Sequence, residues 1–259
     1  MNAAKRNGPS RAVSTINKIY PPALLIAALL VVWQTVCTST GIPIWMLAKP
    51  TDIASTFVEN TQDILPHIGL TYSNILIGFA LAVVIGVAIA VLVSSFPRFG
   101  AAVTPLIVAL CCIPMITLVP TLMLVLGLGR SVKLITIVIQ AFPIVTINAT
   151  TAFLNVDPNK LELMKSLKAT KWQRFCHCML RDALPGIFTG IKLASIMSMI
   201  GGITAEMTGG NTGLGNRISY YVGFSKTPEA LSCILYIIVL GGLLYGVISL
   251  LEKRFVKVD

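Results

Sequence analysis

Residues 68–95 form a predominantly apolar run without a single charged side chain. A run of more than about 18 such residues is long enough to cross a bilayer as a helix. Lipid offers no hydrogen bonds to the backbone, so a spanning helix must satisfy its own peptide groups. Apolar runs of similar length recur, and together they predict an all-α polytopic membrane protein. The six predicted transmembrane helices are 19–38, 68–95, 101–127, 132–155, 184–207 and 229–251.

The composition agrees with a membrane protein and argues against a nucleic-acid-binding one. The chain is 55% apolar and only 12% charged, whereas soluble domains carry about 25% charged residues. Its net charge of +10 would suit a nucleic acid, but the basic residues lie at the ends of apolar runs rather than along one stripe. We therefore expect the chain to contact the lipid bilayer and no nucleic acid.

Positive charge is distributed unequally between the two sides of the predicted membrane. With the N-terminus inside, the inner segments hold 14 Lys and Arg residues and the outer segments hold 5. Because inner loops carry the excess of Lys and Arg, both termini are expected in the cytoplasm. The predicted organisation is a cytoplasmic segment 1–18, a single transmembrane domain 19–251 with a cytoplasmic loop 157–183, and a cytoplasmic tail 252–259.

The longest polar interval, 157–187, separates two apolar halves and holds six basic but only three acidic residues. Asp157 followed by Pro158 predicts a helix start, because Asp caps free N–H groups and Pro suits the first helical position. From there to Thr170 the chain has no Gly and no further Pro. Apolar residues recur at intervals of three, at Leu161, Met164 and Leu167. This pattern predicts a short amphipathic helix, and we hypothesise that it transmits force from a partner.

The third predicted span contains three prolines, each of which removes a backbone donor and tends to kink a helix. In lipid the freed carbonyls need partners or a water-lined cavity. Kinked backbone that also carries threonines is therefore a candidate pathway wall, and packing within the bundle is the alternative. Together with two polar residues of later spans, the candidate pathway or gate residues are Pro114, Thr117, Pro120, Thr121, Gln140 and Glu206.

Glu206 is an acidic residue near the outer end of the fifth predicted span, just before a Gly-rich segment at 209–215. A carboxylate within a bilayer usually faces protein or water rather than lipid. Two roles remain open for Glu206. It contacts a transported solute, or it braces the Gly-rich turn by accepting backbone N–H bonds.

No arrangement of residues for catalysis is recognisable. The chain lacks a Gly-x-x-x-x-Gly-Lys-Ser/Thr phosphate loop, and its two histidines lie far apart. Cys176-His177-Cys178 is an incomplete and poorly spaced set of zinc ligands. We therefore expect no enzymatic activity, no metal and no cofactor. A secondary transporter is disfavoured, because it would show more ionisable residues in its spans and internal repeats. A purely structural subunit of another membrane complex is a further alternative.

Several segments resemble the permeases of ABC importers, in the branch of the nitrate, sulfonate and taurine systems. Residues 162–172 and 180–187 resemble the cytoplasmic-loop signature of that family, in which Glu-Ala-Ala is followed by Gly and then by Ile-x-Leu-Pro. Residues 205–207 and 213–215 resemble elements of its fifth span. The similar segments of the middle spans are 112–120, 127–129 and 142–144.

The resemblance implies a fold like that of the methionine-importer permease and a location in the bacterial inner membrane. Two permease copies would form the pathway, two copies of a separate ATPase subunit would bind ATP, and an extracytoplasmic binding protein would deliver the solute. The amphipathic helix would be a coupling helix, seated in a groove of the ATPase. The implied coupling residues are Leu161, Glu162, Leu163, Met164, Lys165, Ser166, Leu167, Lys168, Ala169 and Thr170.

The loop departs from the family signature at four positions. Leu163 and Met164 replace the Ala-Ala pair, Lys168 replaces the Gly, and Arg181 stands where the family has another Pro ahead of the Leu-Pro pair. The Gly permits a turn between two short helices, and nothing in the sequence predicts that Lys168 forms the same turn. No cluster of Arg marks an anion site within the spans, so we expect a small organic solute such as a sulfonate, a pyrimidine or another heterocycle.

Overall fold

The computed structural model describes residues 11–256, with side chains from Tyr20 onward, and every regular element in this part of the chain is a helix. The helices are α1 (Arg11–Ser39), α2 (Pro50–Glu59), α3 (Thr61–Ser95), α4 (Pro97–Cys111), α5 (Met115–Leu126), α6 (Arg130–Leu154), α7 (Pro158–Ser166), α8 (Lys171–Arg174), α9 (Leu180–Gly209), α10 (Leu214–Gly223) and α11 (Thr227–Phe255). A π-helical turn, Phe175–Met179, joins α8 to α9. The predicted all-α class is confirmed.

The two predicted terminal segments reach beyond the described residues. Part of the segment 1–18 lies outside them, and α1 already begins at Arg11. Part of the tail 252–259 also lies outside them, and α11 continues to Phe255. Both helices therefore extend further than hydropathy alone indicates, because helical hydrogen bonding does not stop where side chains become polar.

Five helical segments are long and apolar enough to cross a membrane. They are Tyr20–Ser39, Thr61–Ser95, Arg130–Leu154, Lys171–Gly209 and Thr227–Phe255. Helices α4 and α5 meet at an angle of 98° and pass the same test only as a pair. With this bent pair counted as one broken span, the described part of the chain contains the six predicted spans.

The break in the third span lies at one of its three prolines. Pro114 immediately precedes α5, whereas Pro105 and Pro120 lie inside α4 and α5 without interrupting them. Proline has no N–H with which to continue α4, and the residue before it avoids the helical conformation. The carbonyl of Pro114 then starts the next helix, since it accepts the N–H and the Oγ1 of Thr117 at 3.1 and 2.8 Å.

Helices α3, α6 and α9 form the centre of the bundle, and small residues set their spacing. A ridge of small residues on α3 is buried: Gly78, Ala82, Gly86 and Ala90. A Cβ added at Gly78 would lie 2.6 Å from Ile137 Cγ2, and one added at Gly86 would lie 2.6 Å from Val145 Cβ. Glycines of α9 approach α6 in the same way. Small residues permit such close approach of helices in membranes, so the ridge packs within one subunit.

The predicted polar loop 157–183 contains helical structure over much of its length. The chain is already helical from Lys171, and helical structure then continues to Gly209. Helical structure therefore begins before the predicted span at 184. The π-helical turn at 175–179 explains the continuity, because the hydrogen-bond pattern widens for one turn instead of ending. Half of the basic interval thus belongs to the same helical unit as the span.

Candidate functional site: the basic interval and a buried carboxylate

Helix α7 begins where the sequence predicts but ends earlier. The Asp157 carboxylate accepts the N–H of Asn159 at 2.9 Å, and the helix ends at Ser166 rather than continuing to Thr170. Thr170 instead caps α8. Its hydroxyl accepts the N–H of Gln173, and the Gln173 side chain accepts the N–H of Thr170. The predicted single helix is therefore two short helices, because a capping residue starts a new helix where a continuous one was expected.

Lys168 forms the turn between α7 and α8. Its φ of +53° lies in the left-handed region, which favours glycine. The N–H groups of Lys168 and Ala169 donate to the carbonyls of Lys165 and Met164 at 2.9 and 3.0 Å. These bonds satisfy carbonyls at the end of α7. Lysine thus adopts the turn that the family signature assigns to glycine, although the left-handed conformation costs an L-residue about 1–2 kcal/mol.

Lys168→Gly is expected to raise the free energy of unfolding by up to about 1 kcal/mol, because glycine adopts a positive φ without steric cost. Thermal unfolding of the purified full chain in detergent measures the change. Lys165→Gly, inside α7, is the matched control and should lower the stability by about 1 kcal/mol. A loss of stability in Lys168→Gly would contradict the left-handed turn.

The predicted coupling residues form the surface of α7 and of this turn. No residue of α7 is buried, and Leu163 and Leu167 are 61% and 69% exposed. The half-buried members are Leu161, Met164 and Ala169, and the exposed polar members are Glu162, Lys165, Ser166, Lys168 and Thr170. Leu163 and Leu167 lie four residues apart and therefore on one side of the turn. Exposed apolar side chains rimmed by charge are a candidate contact surface for another protein.

An ion pair joins α7 to α9. The Nζ of Lys160 lies 2.7 Å from the Oδ2 of Asp182, and both side chains are partly exposed. This hydrogen bond to the Asp182 carboxylate raises the pKa of Lys160 above its ordinary value. The pair connects the base of the exposed helix to the first turn of the helix that enters the membrane.

The six pathway candidates fall into three places. Four of them are exposed at the start of α5 and along it: Pro114, Thr117, Pro120 and Thr121. Gln140 lines a separate groove of about 270 Å³ that is formed by residues of α4, α6 and α9. Its Nε2 lies 3.8 Å from the Sδ of Met197. Glu206 lies in neither of these places.

Glu206 is buried under the Gly-rich turn, with 1% of its surface exposed. Its Oε2 accepts the Thr71 hydroxyl at 2.8 Å and the Gly215 N–H at 3.1 Å. Its Oε1 lies 3.8 Å from the Nζ of Lys133, which also donates to the Thr212 carbonyl at 2.7 Å. A buried carboxylate is tolerated when it is paired and hydrogen-bonded in this way. The carboxylate therefore links the turn to α3 and α6.

The turn passes so close to the carboxylate that it requires glycine. Gly213 has a φ of +109°, and a Cβ there would lie 2.2 Å from Oε1 of Glu206. A Cβ at Gly215 would lie 2.6 Å from the carbonyl oxygen of Ile203. The Gly-x-Gly spacing thus reflects close approach of the turn to α9.

Gly215→Ala is expected to lower the free energy of unfolding by about 1–3 kcal/mol, the usual cost of overpacking. The added methyl group meets a backbone oxygen, which cannot rotate aside as a side chain would. Gly223→Ala is the matched control, because Gly223 ends the same helix and has nothing within 4 Å of an added Cβ. Thermal unfolding compares the two variants, and equal stabilities would contradict this packing.

The partners of Glu206 are not among the predicted site residues. In the sequence, Lys133 is one of the five basic residues assigned to the outer segments. In the structure it is buried, with 7% of its surface exposed. Its position one turn inside a span is the available signal, because a cation within a span is expected to have a partner. His67 completes the cluster. The Gly213 N–H lies 3.1 Å from its Nδ1 and the Arg217 Nε lies 2.9 Å from its Nε2.

A pocket of about 240 Å³ lies beside the Gly-rich turn, and Arg130 and Lys133 at the start of α6 both line it. The Nε of Arg130 donates to the Oδ1 of Asn74 on α3 at 2.8 Å, and Asn74 is buried. The pocket therefore has a positive, hydrogen-bonding wall. It is not apparent in the sequence, because Asn74 and Arg130 lie on different helices.

The chain matches the family described as binding-protein-dependent transport system inner membrane component over residues 82–257. It is 30% identical over 234 residues to the formylaminopyrimidine transport permease protein ThiX of Halalkalibacterium halodurans, with 90% of this chain and 93% of that protein covered. It is 28% identical over 250 residues to the nitrate import permease protein NrtB of a Synechocystis species, with 93% and 91% covered.

Solved transporter structures share the fold. An inward-facing structure of the MetNI methionine ABC transporter has a TM-score of 0.64 at 18% identity, and covers 75% of this chain and 96% of that chain. An amino acid ABC transporter solved with histidines has a TM-score of 0.61 at 16% identity, with 76% and 96% covered. The expectation of a methionine-importer-like permease fold is confirmed.

Proposed function

We propose, on the premise that this chain belongs to the family of binding-protein-dependent transport system inner membrane components, that it forms the solute pathway of an ABC importer as a homodimer. ATP is bound and hydrolysed by two copies of a separate ATPase subunit, so the permease itself needs no cofactor. An extracytoplasmic binding protein delivers the solute. The chain lies in the bacterial inner membrane with both termini in the cytoplasm.

The observation that carries this proposal is the exposed apolar pair formed by α7 and the residue that follows it. Leu163 and Leu167 are 61% and 69% exposed within an interval rich in Lys and Arg. An importer with a separate ATPase needs such a surface outside the bilayer. Apolar side chains among cations suit a groove with an apolar floor and an acidic rim. The excess of positive charge supports a cytoplasmic location for this interval, where ATP is available.

In this proposal, motion of the ATPase reaches the membrane through α9. The Lys160–Asp182 ion pair ties α7 to α9, and helical structure runs from Lys171 to Gly209. Helix α9 in turn contacts α6 through glycines, as α3 does. Closely packed interiors transmit displacement with little compression. When the two α7 helices approach each other, the three central helices of each copy therefore tilt together.

We place the pathway between the two copies, along the exposed face of α5. Backbone bent by Pro114 is tolerated at membrane depth where it borders protein or a water-filled cavity. The hydroxyl groups of Thr117 and Thr121 add polar atoms to this face. The Gln140 side chain adds a second polar group, in the groove formed by α4, α6 and α9. Glu206 affects the pathway indirectly, because it accepts a hydrogen bond from the Gly-rich turn at Gly215 and so holds that turn in position.

For the solute we propose a small organic molecule such as a sulfonate, a pyrimidine or another heterocycle. The two relatives are named for transport of formylaminopyrimidine and nitrate. The pocket beside the Gly-rich turn supports a solute that accepts hydrogen bonds, because Arg130 and Lys133, which carry N–H donors, line it together with apolar residues.

Reconstitution in proteoliposomes tests the function. The chain is combined with the ATPase and the binding protein of its gene neighbourhood, and uptake is measured for the solute that the binding protein binds. Uptake is expected to require all three proteins and ATP. Uptake driven by an ion gradient without the ATPase would instead support a secondary transporter. Stable assembly with another complex, without uptake, would support a structural subunit.

A further inference from the structure

A second surface of the basic interval faces away from the exposed leucine pair and shares only Leu161 and Lys165 with the predicted coupling residues. A cleft of about 370 Å³, here named the basic cleft, lies between the end of α3, α7 and the start of the long helix that contains α9. Ser95, the last residue of α3, lines its edge. Its other lining residues are Leu161, Lys165, Lys171, Arg174, Phe175 and Met179. The basic cleft thus combines three cations with three apolar side chains.

The cations of the basic cleft lack acidic partners. Three ion pairs occur among the described side chains, and none includes Lys165, Lys171 or Arg174. In addition, the Nε of Arg174 is buried without a hydrogen-bond partner in the described part of the chain. Buried donors are nearly always satisfied in folded proteins. The cleft therefore offers unused positive charge and an unused donor to an anion.

The basic cleft lies on a different side of α7 from the exposed leucine pair. Successive residues of a helix are rotated by about 100°, so Leu161 and Lys165 point roughly 200° away from Leu163 and Leu167. Leu161 is half-buried and Leu163 is 61% exposed, which shows that the two sides have different surroundings. A ligand in the cleft and a protein on the leucine pair can therefore be bound together.

The basic cleft lies where membrane-spanning helices end. Helix α3 ends at Ser95, and α6 ends one residue after Phe153. The ring of Phe175 packs against Phe153, with centroids 5.9 Å apart, and Trp172 stacks on Phe175 at the same distance. Trp172 is 72% exposed, and tryptophan is enriched at the boundary between membrane and water. A ligand of this cleft can therefore be part of the bilayer.

We propose that the basic cleft binds the phosphate group of an anionic phospholipid, such as phosphatidylglycerol. Lys and Arg donate charge-assisted hydrogen bonds to phosphate oxygens, and basic pockets beside membrane-spanning helices suit lipid headgroups. The apolar side chains of Leu161, Phe175 and Met179 contact the glycerol and the first methylene groups. An acidic residue of a protein partner would leave these apolar side chains unused. Bound lipid holds α7 against α3 and α9 and so stabilises the base of the coupling helix.

Native mass spectrometry of the full chain tests this proposal. The purified chain is stripped of lipid in detergent and titrated with phosphatidylglycerol, with phosphatidylcholine and with inorganic phosphate. We expect one phosphatidylglycerol per chain to bind on the order of tenfold more tightly than phosphatidylcholine, since each cation near a headgroup contributes to binding. The double variant Lys171→Gln/Arg174→Gln should lose this preference. Lys171→Gln alone should lose part of the preference for phosphatidylglycerol. Because Lys171 is exposed, this single variant serves as the test if the double variant does not fold.

The matched control is Arg98→Gln/Lys253→Gln, which removes two exposed cations that do not line the basic cleft. It should retain the preference for phosphatidylglycerol. Equal binding by the wild type and the Lys171→Gln/Arg174→Gln variant would overturn the proposal. Displacement of the lipid by inorganic phosphate at similar concentration would show that a free anion is the ligand. Loss of bound lipid when the ATPase is added would show that the cleft belongs to the protein interface.

Discussion

Leu163→Asp is expected to abolish association of the permease with its ATPase subunit. Burial of a leucine side chain contributes about 1.5–3 kcal/mol, and an unpaired carboxylate in the same groove costs about 3–5 kcal/mol. A combined loss of more than about 4 kcal/mol corresponds to a 1000-fold lower affinity. Because Leu163 is 61% exposed in the chain alone, the substitution should leave its folding intact. Co-purification of the two subunits from detergent extracts measures the effect.

Leu128→Asp is the matched control for association. Leu128 is 68% exposed, in the turn between α5 and α6, and lies outside the basic interval. Met164→Asp should also abolish association, but Met164 is half-buried and its substitution affects folding as well. Glu162→Lys, at an exposed position of the same helix, tests the contribution of charge. Unchanged co-purification of Leu163→Asp would contradict the assignment of α7 as the coupling helix.

Glu206→Leu is expected to destabilise the whole fold by about 3–5 kcal/mol, the cost of removing one partner of a buried ion pair. The substitution leaves Lys133 buried without a carboxylate, and it leaves the Thr71 hydroxyl and the Gly215 N–H without their acceptor. Native proteins are stable by only about 5–15 kcal/mol, so much of the variant should fail to accumulate in the membrane. Expression level and thermal unfolding in detergent measure the loss.

The double variant Glu206→Leu/Lys133→Met separates charge pairing from packing. Removing both charges avoids a buried unpaired cation, so the double variant should be more stable than Glu206→Leu alone. Glu206→Gln should have an intermediate effect, because its amide oxygen still accepts hydrogen bonds while its charge is lost. If the losses of the two single variants added up in the double variant, the pair would not be coupled and the geometry would be contradicted.

Much of the fold can be predicted from sequence features that act over a few residues or within one segment. The apolar runs predicted the spans, because the transfer of side chains into lipid depends on each segment by itself. Asp157 predicted the start of α7, because a cap acts over two or three residues. The coupling role of residues 161–170 stays a prediction; the structure shows that Lys168 and Thr170 divide this segment between two helices.

The position of the bend in the third span cannot be predicted from local sequence features. Its three prolines have the same covalent geometry, yet only Pro114 separates two helices, at 98°. Helix α4 packs on α3 and α6, whereas α5 packs on α6 and α9. The choice of proline therefore depends on which neighbours the two halves contact, and hydropathy does not contain this information.

The sequence by itself determined the all-helical membrane class, the apolar segments and the position of the basic interval along the chain, since hydropathy, charge and capping act over short distances along the chain. Only the tertiary structure decided the pairing of Glu206 with Lys133 and of Lys160 with Asp182, and the clustering of Lys165, Lys171 and Arg174 around one cleft. The physical reason is that these groups lie on different helices or on separate turns. The distances between these groups depend on the close packing of small residues between helices. The free energy of each charged interaction depends on those distances.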